Sequence, residues 1–189
     1  MNKLLALTGG VGGAKLAVGL AQILPPEQLL FAVNTGDDFE HLGLHISPDI
    51  DSLTYALAQQ NNTETGWGRA GESWNFIETL SSLGGEDWFR LGDKDLALHT
   101  ARSQMLRRGA SLTEATAHIT QQMGITHTIA PMSNDPVRTI VHCEQGDLSF
   151  QHYFVRERCE PKVRGFSFDG IADACLNPLL VDWLSECDG

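Results

Sequence analysis

The sequence predicts an α/β chain, a Rossmann-like three-layer sandwich with a β-hairpin insertion. Three observations predict it. Two short apolar runs, Leu4–Leu7 and Leu29–Val33, flank a helical pattern and end in small or polar residues, as buried parallel strands joined by a crossover helix do. Helical spacing then dominates residues 47–123. Beyond it the period becomes that of strands, with a glycine-containing turn between two of them, which places a hairpin late in the chain.

The first run, Leu4 to Leu7, stops at Thr8-Gly9-Gly10. Ala14–Leu24 repeats Leu16, Leu20 and Ile23 at helical spacing and is closed by Pro25-Pro26. Leu29–Val33 ends at Asn34-Thr35-Gly36, completing a strand–helix–strand unit whose crossover should be right-handed. Ser47-Pro48-Asp49 starts a helix carrying Leu53, Ala56 and Leu57, and Ser73–Leu83 forms another that ends at Gly84-Gly85. Two further helices span Lys94–Arg107 and Thr113–Met123. Thr128–Ala130, Thr139–His142 and Leu148–Val155 read as strands, with Gly146-Asp147 turning between the last two. Asn177–Ser185 is a final helix that places Leu180 and Leu184 together. No repeat, linker or low-complexity run divides residues 1–189, so they read as a single domain.

A chain of 189 residues that is 42% hydrophobic and 20% charged can bury a core. Its 13 Lys plus Arg against 24 Asp plus Glu give a net charge of -11, which argues against nucleic acid or an anionic membrane as the main partner. Any phosphate must be held by glycine-rich backbone or a metal. Cys143, Cys159, Cys175 and Cys187 include no C-x-x-C pair, which speaks against zinc and redox motifs. The apolar run after Met1-Asn2-Lys3 is too short for a signal peptide, and no stretch reaches the roughly 20 apolar residues of a spanning helix. The expectation is a cytoplasmic protein with reduced, unpaired cysteines.

Chemistry concentrates at the ends of the first two strands. Gly9, Gly10, Gly12 and Gly13 lie between a strand and a helix, where backbone N–H groups and the helix N-terminus can hold an anion. The spacing departs from the Walker pattern and only approximates the dinucleotide fingerprint; a tight turn with close helix packing is the structural alternative. Lys15 reads as a phosphate contact or a solvated helix position. Asp37 and Asp38 follow the second strand, and Asp49 and Asp51 follow shortly after. Four clustered carboxylates repel one another unless a cation neutralises them, which suits Mg²⁺ with substrate phosphates. Otherwise Asp49 and Asp51 cap a helix and Asp37 and Asp38 form a turn. Gly66-Trp67-Gly68 with Trp74-Asn75 offers a stacking surface or core packing. Arg90, in Trp88–Asp95, pairs either a ligand atom or Asp93 or Asp95, and Met132–Val137 could bring polar groups to the same mouth. His41, His45 and His99 read as structural, and no Ser/His/Asp or Cys/His arrangement can be argued.

Taken jointly, Leu7–Leu16, Val33–Asp38, Ile46–Asp51, Gly66–Gly68, Arg90–Ala97 and Pro131–Val137 resemble the ordered motifs of the 2-phospho-L-lactate transferase family. The resemblance implies an enzyme of deazaflavin coenzyme F(420) biosynthesis. Such an enzyme transfers a phospholactyl, phosphoenolpyruvyl or phosphoglyceryl group from a guanosine-diphosphate-linked donor to the deazariboflavin Fo, releasing GMP with Mg²⁺ present. By position it implies that Asp51 and Arg90 contact the deazaflavin. It makes Asp37 and Asp51 the metal or substrate-hydroxyl candidates, with Asp38 and Asp49 supporting the metal and Gly9 to Gly13 with Lys15 on a donor phosphate. On this reading Asp51→Asn abolishes transfer and leaves the fold intact, and the family's tendency implies a homodimer. Family members continue into a Gly-Pro-Ser-Asn-Pro segment, so the chain reads as truncated, with an unpaired sheet edge and exposed apolar surface. The alternatives are an inactive fragment or nucleotide-binding regulatory remnant, or a nucleotide-sugar or gluconeogenesis-related protein sharing the glycine turn. The Ser-Pro-Asp-x-Asp and Arg-Leu-Gly-Asp blocks favour the transferase.

Overall fold

The computed structural model describes residues 3–187. The elements run β1 (Leu4–Thr8), α1 (Gly10–Ile23), β2 (Leu29–Val33), β3 (Phe39–His41), β4 (Leu44–Ile46), α2 (Pro48–Leu57), α3 (Asn75–Ser82), α4 (Asp93–Arg107), α5 (Leu112–Gln122), β5 (Thr128–Pro131), β6 (Arg138–Cys143), β7 (Gly146–Ser149), β8 (Val163–Asp169) and α6 (Pro178–Leu184). Strands β1, β2 and β5 form a parallel sheet with β2 in the middle, in register Leu5↔Leu30 and Ala32↔Ala130. Because side chains alternate across a strand, the fully buried β2 supplies both cores. Leu29, Phe31 and Val33 meet Ala14 and Ala17 of α1, Ile50, Leu53 and Ala56 of α2, and Leu112 of α5. Leu30 and Ala32 face Leu180 of α6 on the other side, and the Trp183 indole donates to the Leu4 carbonyl at 3.2 Å. Helices on both faces make the expected three layers, but the α6 layer is thin. Leu7 stays 67% exposed beside a shallow apolar groove lined by Leu5, Met132, Leu176 and Leu184. No helix among the described residues is long and apolar enough to cross a membrane.

The hairpin insertion is present and larger than expected. β6 is the centre of an antiparallel sheet ordered β7-β6-β8, and the strand Val163–Asp169 lies outside the expected set because its alternation is broken by Gly165. Cys143 pairs with Gly146, so the turn is Glu144-Gln145 rather than Gly146-Asp147. The expected strand Leu148–Val155 ends at Ser149 and gives way to a π-helical turn, His152–Arg156, whose Phe154 stacks on Phe150 just before it at 5.6 Å. On the sheet's outer face His142 bridges Asp147 at 2.8 Å and Ser167 at 2.9 Å, a cross-strand chain that ties all three strands.

A second hairpin, β3–β4, escaped the sequence reading. Its strands are three residues each, and its two turn residues, Leu42 and Gly43, both take positive φ, 53° and 69°. Leucine there gives no turn signal. The hairpin buries Phe39 and Ile46 against Leu91.

Helix starts explain much of the packing, because first-turn N–H groups need acceptors. Ser111 and Glu114 form a local capping box on α5, whereas α3 and α4 cap each other. The Asp93 carboxylate accepts from the Phe76 N–H at 3.0 Å, and Glu72 accepts from the Lys94 and Asp95 N–H groups at 2.8 and 2.9 Å. Buried Asn177 caps α6 by accepting from the Leu179 N–H, and donates to the Pro131 carbonyl at 2.9 Å and the Thr113 hydroxyl at 2.7 Å. Asn177→Ala should therefore cost about 2–4 kcal/mol, against about 1 kcal/mol for Ser111→Ala. Urea denaturation of both variants checks the ranking; equal losses would mean that Asn177 acts as a cap alone.

Candidate active site

Ligands of open α/β sheets bind beyond the carboxyl ends of the strands, and the residues following β1 and β2 meet there. The Asn34 amide, just past β2, organises the mouth. It donates to Asp49 at 2.9 Å and to Asp37 at 3.2 Å, while its oxygen accepts from the Gly36 N–H at 2.9 Å. Asp49 also accepts from the Gly10 N–H. It thus caps α1 from the first turn of α2, not its own helix. Glycine permits this: Gly10 has φ +52°, and a methyl on Gly9 would come within 3.0 Å of the Asp49 carboxylate. The glycine segment is consequently the first turn of α1 itself, not a loop before a helix starting at Ala14. Gly13 leaves no room for a Cβ against the Thr8 side chain, Gly12 faces open space, and Lys15 is exposed one turn on.

Asp37 and Asp49 share this mouth. Burial, and then the Asp49 charge, push Asp37 up to about 6 against an opposing hydrogen bond from Thr139. Burial also raises Asp49, opposed by Asn34 and Gly10. Two adjacent carboxyls that both resist ionisation can be relieved by a proton or by a cation.

Asp38 and Asp51 belong to a second group that carries its own compensation. Asp38 accepts from the Ser47 hydroxyl at 2.8 Å and faces His45 at 3.1 Å, while its other oxygen is buried without a partner. Asp51 receives both terminal nitrogens of Arg102, one at 3.1 Å, and stands 3.6 Å from the His99 ring. Arg102 is 1% exposed. Burial disfavours its charge, yet Asp51 more than offsets this and holds the guanidinium protonated. The chain continues from His99 to Asp95 at 3.2 Å and from Asp95 to the Tyr55 hydroxyl. Burial works against the Asp95 charge, but hydrogen bonds from His99 and Tyr55 keep it below the usual carboxylate range. Burial, then the Asp51 and Asp95 charges, push the Tyr55 hydroxyl far above its ordinary value.

Arg90 lies on an exposed loop with its guanidinium 4.7 Å over the Trp74 ring. Asp93 and Asp95 take their partners elsewhere, so the stack replaces the ion pair weighed from sequence. Trp67 is exposed, and Met132–Val137 is used structurally: Asn134 accepts from the Thr113 N–H and Asp135 from the Cys175 N–H. Sequence reasoning missed Asn34 as organiser, Thr139 on Asp37, and the Tyr55–Asp95–Arg102 network. One signal was available, since Asp95, His99 and Arg102 recur at i, i+4, i+7 on one helix face.

Among the described residues no three His, Cys, Asp or Glu side chains converge into a metal cage. Asp37 and Asp49 nevertheless fit Mg²⁺ in phosphate chemistry, which takes one or two carboxylates and fills its other positions with water and substrate oxygens. Asp38 and Asp51 fit less well, because Ser47, His45 and Arg102 already occupy them.

A parallel sheet with helices on both faces, and carboxylates with a glycine-opened helix start at its strand ends, defines an α/β protein of the open-sheet class. The chain belongs to the 2-phospho-L-lactate transferase family: the model of 2-phospho-L-lactate transferase CofD matches residues 4–188. It is 40% identical over 185 residues to the 2-phospho-L-lactate transferase of Methanosarcina acetivorans, covering 98% of this chain and 60% of the relative. It is 37% identical to that of Methanosarcina mazei, covering 95% and 59%. A phosphoenolpyruvate transferase of Kitasatospora aureofaciens is 41% identical, covering 98% and 60%. The chain thus spans about three fifths of the length of these relatives. In fold it is similar to the crystal structure of a UPF0052-family protein of Bacillus halodurans, with a TM-score of 0.60 at 16% identity over 100% of this chain and 57% of that one.

The Asp37 shift has a sign. Its proton is held more tightly in the folded chain, near 6, than at the ordinary 3.8, so this group lowers stability as pH rises through that window and the loss is complete above it. Asp37→Asn should therefore stabilise the metal-free protein at pH 7.5 by about 1–2 kcal/mol, after discounting for partial exposure, and change little near pH 3.5. Thermal denaturation of both proteins at the two pH values checks this. Equal stability at pH 7.5 would mean that the Asp37 charge is already compensated.

Proposed function

We propose that this chain carries the acceptor- and metal-binding part of an enzyme that transfers a phosphorylated three-carbon acid, phospholactyl or phosphoenolpyruvyl, from a guanosine-diphosphate-linked donor to Fo with release of GMP. One observation carries the reading: two carboxyls raised by burial, Asp37 and Asp49, share the Asn34 amide at the strand ends beside the α1 N-terminus in a chain of the transferase family. The names of the relatives supply the group transferred.

In this reading a hydroxyl of the Fo side chain attacks the donor phosphorus that bears the acid, and the bond from that phosphorus to GMP breaks. Such displacements are accelerated mainly by positioning and charge neutralisation. Asp37 and Asp49, steadied by Asn34, hold Mg²⁺, which when bound neutralises the phosphate oxygens. The first turn of α1, beyond the Gly10 N–H that Asp49 takes, lies at the positive helix end and favours the donor's phosphate there. Asp51 keeps lone pairs free of Arg102 and accepts from the attacking hydroxyl, orienting it. Arg90, spread on Trp74, is a flat cationic platform for the edge of a heteroaromatic ring.

The test is a fluorescence titration of Fo into the protein with Mg²⁺, followed by a transfer assay. Saturable binding is expected, and Arg90→Ala, an exposed change that spares the fold, should weaken it about ten-fold or more. Folded protein without saturable Fo binding would overturn the reading. Asp51→Asn is a poorer probe than the sequence suggested: it strands Arg102 as a buried unpaired charge and should cost about 3–5 kcal/mol, measurable as a lowered denaturation midpoint alongside lost transfer.

A further inference from the structure

The two residues that the acceptor reading uses, Asp51 and Arg90, lie on different elements, and helix α4 is fastened to both. At one end of this connection Arg102 grips both Asp51 oxygens and His99 stands between Asp51 and Asp95. At the other, the first turn of α4 is clamped to the segment that carries the Trp74 platform. Glu72 takes the Lys94 and Asp95 N–H groups, and Asp93 takes the Ser73 hydroxyl at 2.7 Å and the Asn75 amide at 2.9 Å, on either side of Trp74. Arg90 stacks on Trp74. Asp95 joins the two ends, since its backbone is held by Glu72 while its carboxylate meets His99 and Tyr55. The links at the Asp51 end, through Arg102 and His99, are buried, whereas those at the Trp74 end, through Ser73, Asn75 and Arg90, are exposed.

We propose that Arg102 and His99 are positioning residues that, through α4, set the spacing between Asp51 and the Arg90–Trp74 platform and so determine how well a deazaflavin-type acceptor is bound. Neither residue reaches the ligand; both act through Asp51. The inference rests on the acceptor reading given above.

A planar guanidinium engages two carboxylate oxygens at once, whereas an ammonium neutralises the same charge without fixing its direction. Arg102→Lys therefore separates the two roles. The charge stays paired, so the variant should fold with a melting temperature close to the parent's. With the fork gone, its Kd for Fo should rise about ten-fold, ~1.4 kcal/mol. In the transfer assay KM for Fo should rise, while KM for the guanosine-diphosphate-linked donor stays put, a split that general loosening of the fold would not give. His99→Gln, which keeps a hydrogen-bonding side chain of similar reach, should give the same split and takes over the test if Arg102→Lys fails to fold. A folded variant with parental Kd for Fo would overturn the proposal while leaving the acceptor reading in place. A folded parent that does not bind Fo would overturn the acceptor reading, and the proposal with it.

Discussion

Carboxylates gathered at the ends of buried strands must be compensated locally, and that constraint organises this molecule. Asp49 is held by the α1 N-terminus and by Asn34, Asp38 by Ser47 and His45, and Asp51 by Arg102. Each compensation comes from a different element, so satisfying the acids also fixes where α1, β4 and α4 sit relative to the sheet. Asp37 is the exception, with only Asn34 and Thr139 against burial and a neighbouring charge. Asp37 is thus the least compensated of the four, and the proposed metal site is placed there for that reason.

The sheet and main helices could be read from sequence because they rest on local periodicity. Leu29–Val33 is apolar without interruption, and it is the central strand buried on both faces. The hairpins resisted for equally local reasons. Leu42 occupies a left-handed turn position that leucine rarely takes, β3 and β4 are too short to show alternation, and the run Leu148–Val155 has strand composition throughout. Its second half curls, with Phe150 stacked on Phe154 four residues on, a helical spacing hidden within a strand-like composition.

The site divides in the same way. The four acids could be named from their motif positions, but their partners could not, because capping rules look three residues along the chain. Only Ser111 with Glu114 obeys that offset. Asp49 caps α1, Glu72 caps α4 and Asp93 caps α3, each across a gap in sequence. Arg102, which the sequence reading passed over, is among the most deeply buried side chains of the described residues. Four of the 24 acids, Asp49, Glu72, Asp93 and Glu114, serve helix starts, where a negative charge is favourable.

The parallel sheet also imposes an order of events. Its middle strand, β2, is made early, yet its second partner, β5, lies about a hundred residues further on, and contacts so far apart in sequence are slow to form. While the protein is being synthesised, Leu30 to Val33 therefore present an open strand edge for as long as the intervening helices take to emerge. Leu180, which seals one face, arrives later still. A nascent chain in this condition offers an edge to chaperones and to premature association, and it does so until Thr128–Pro131 has been made.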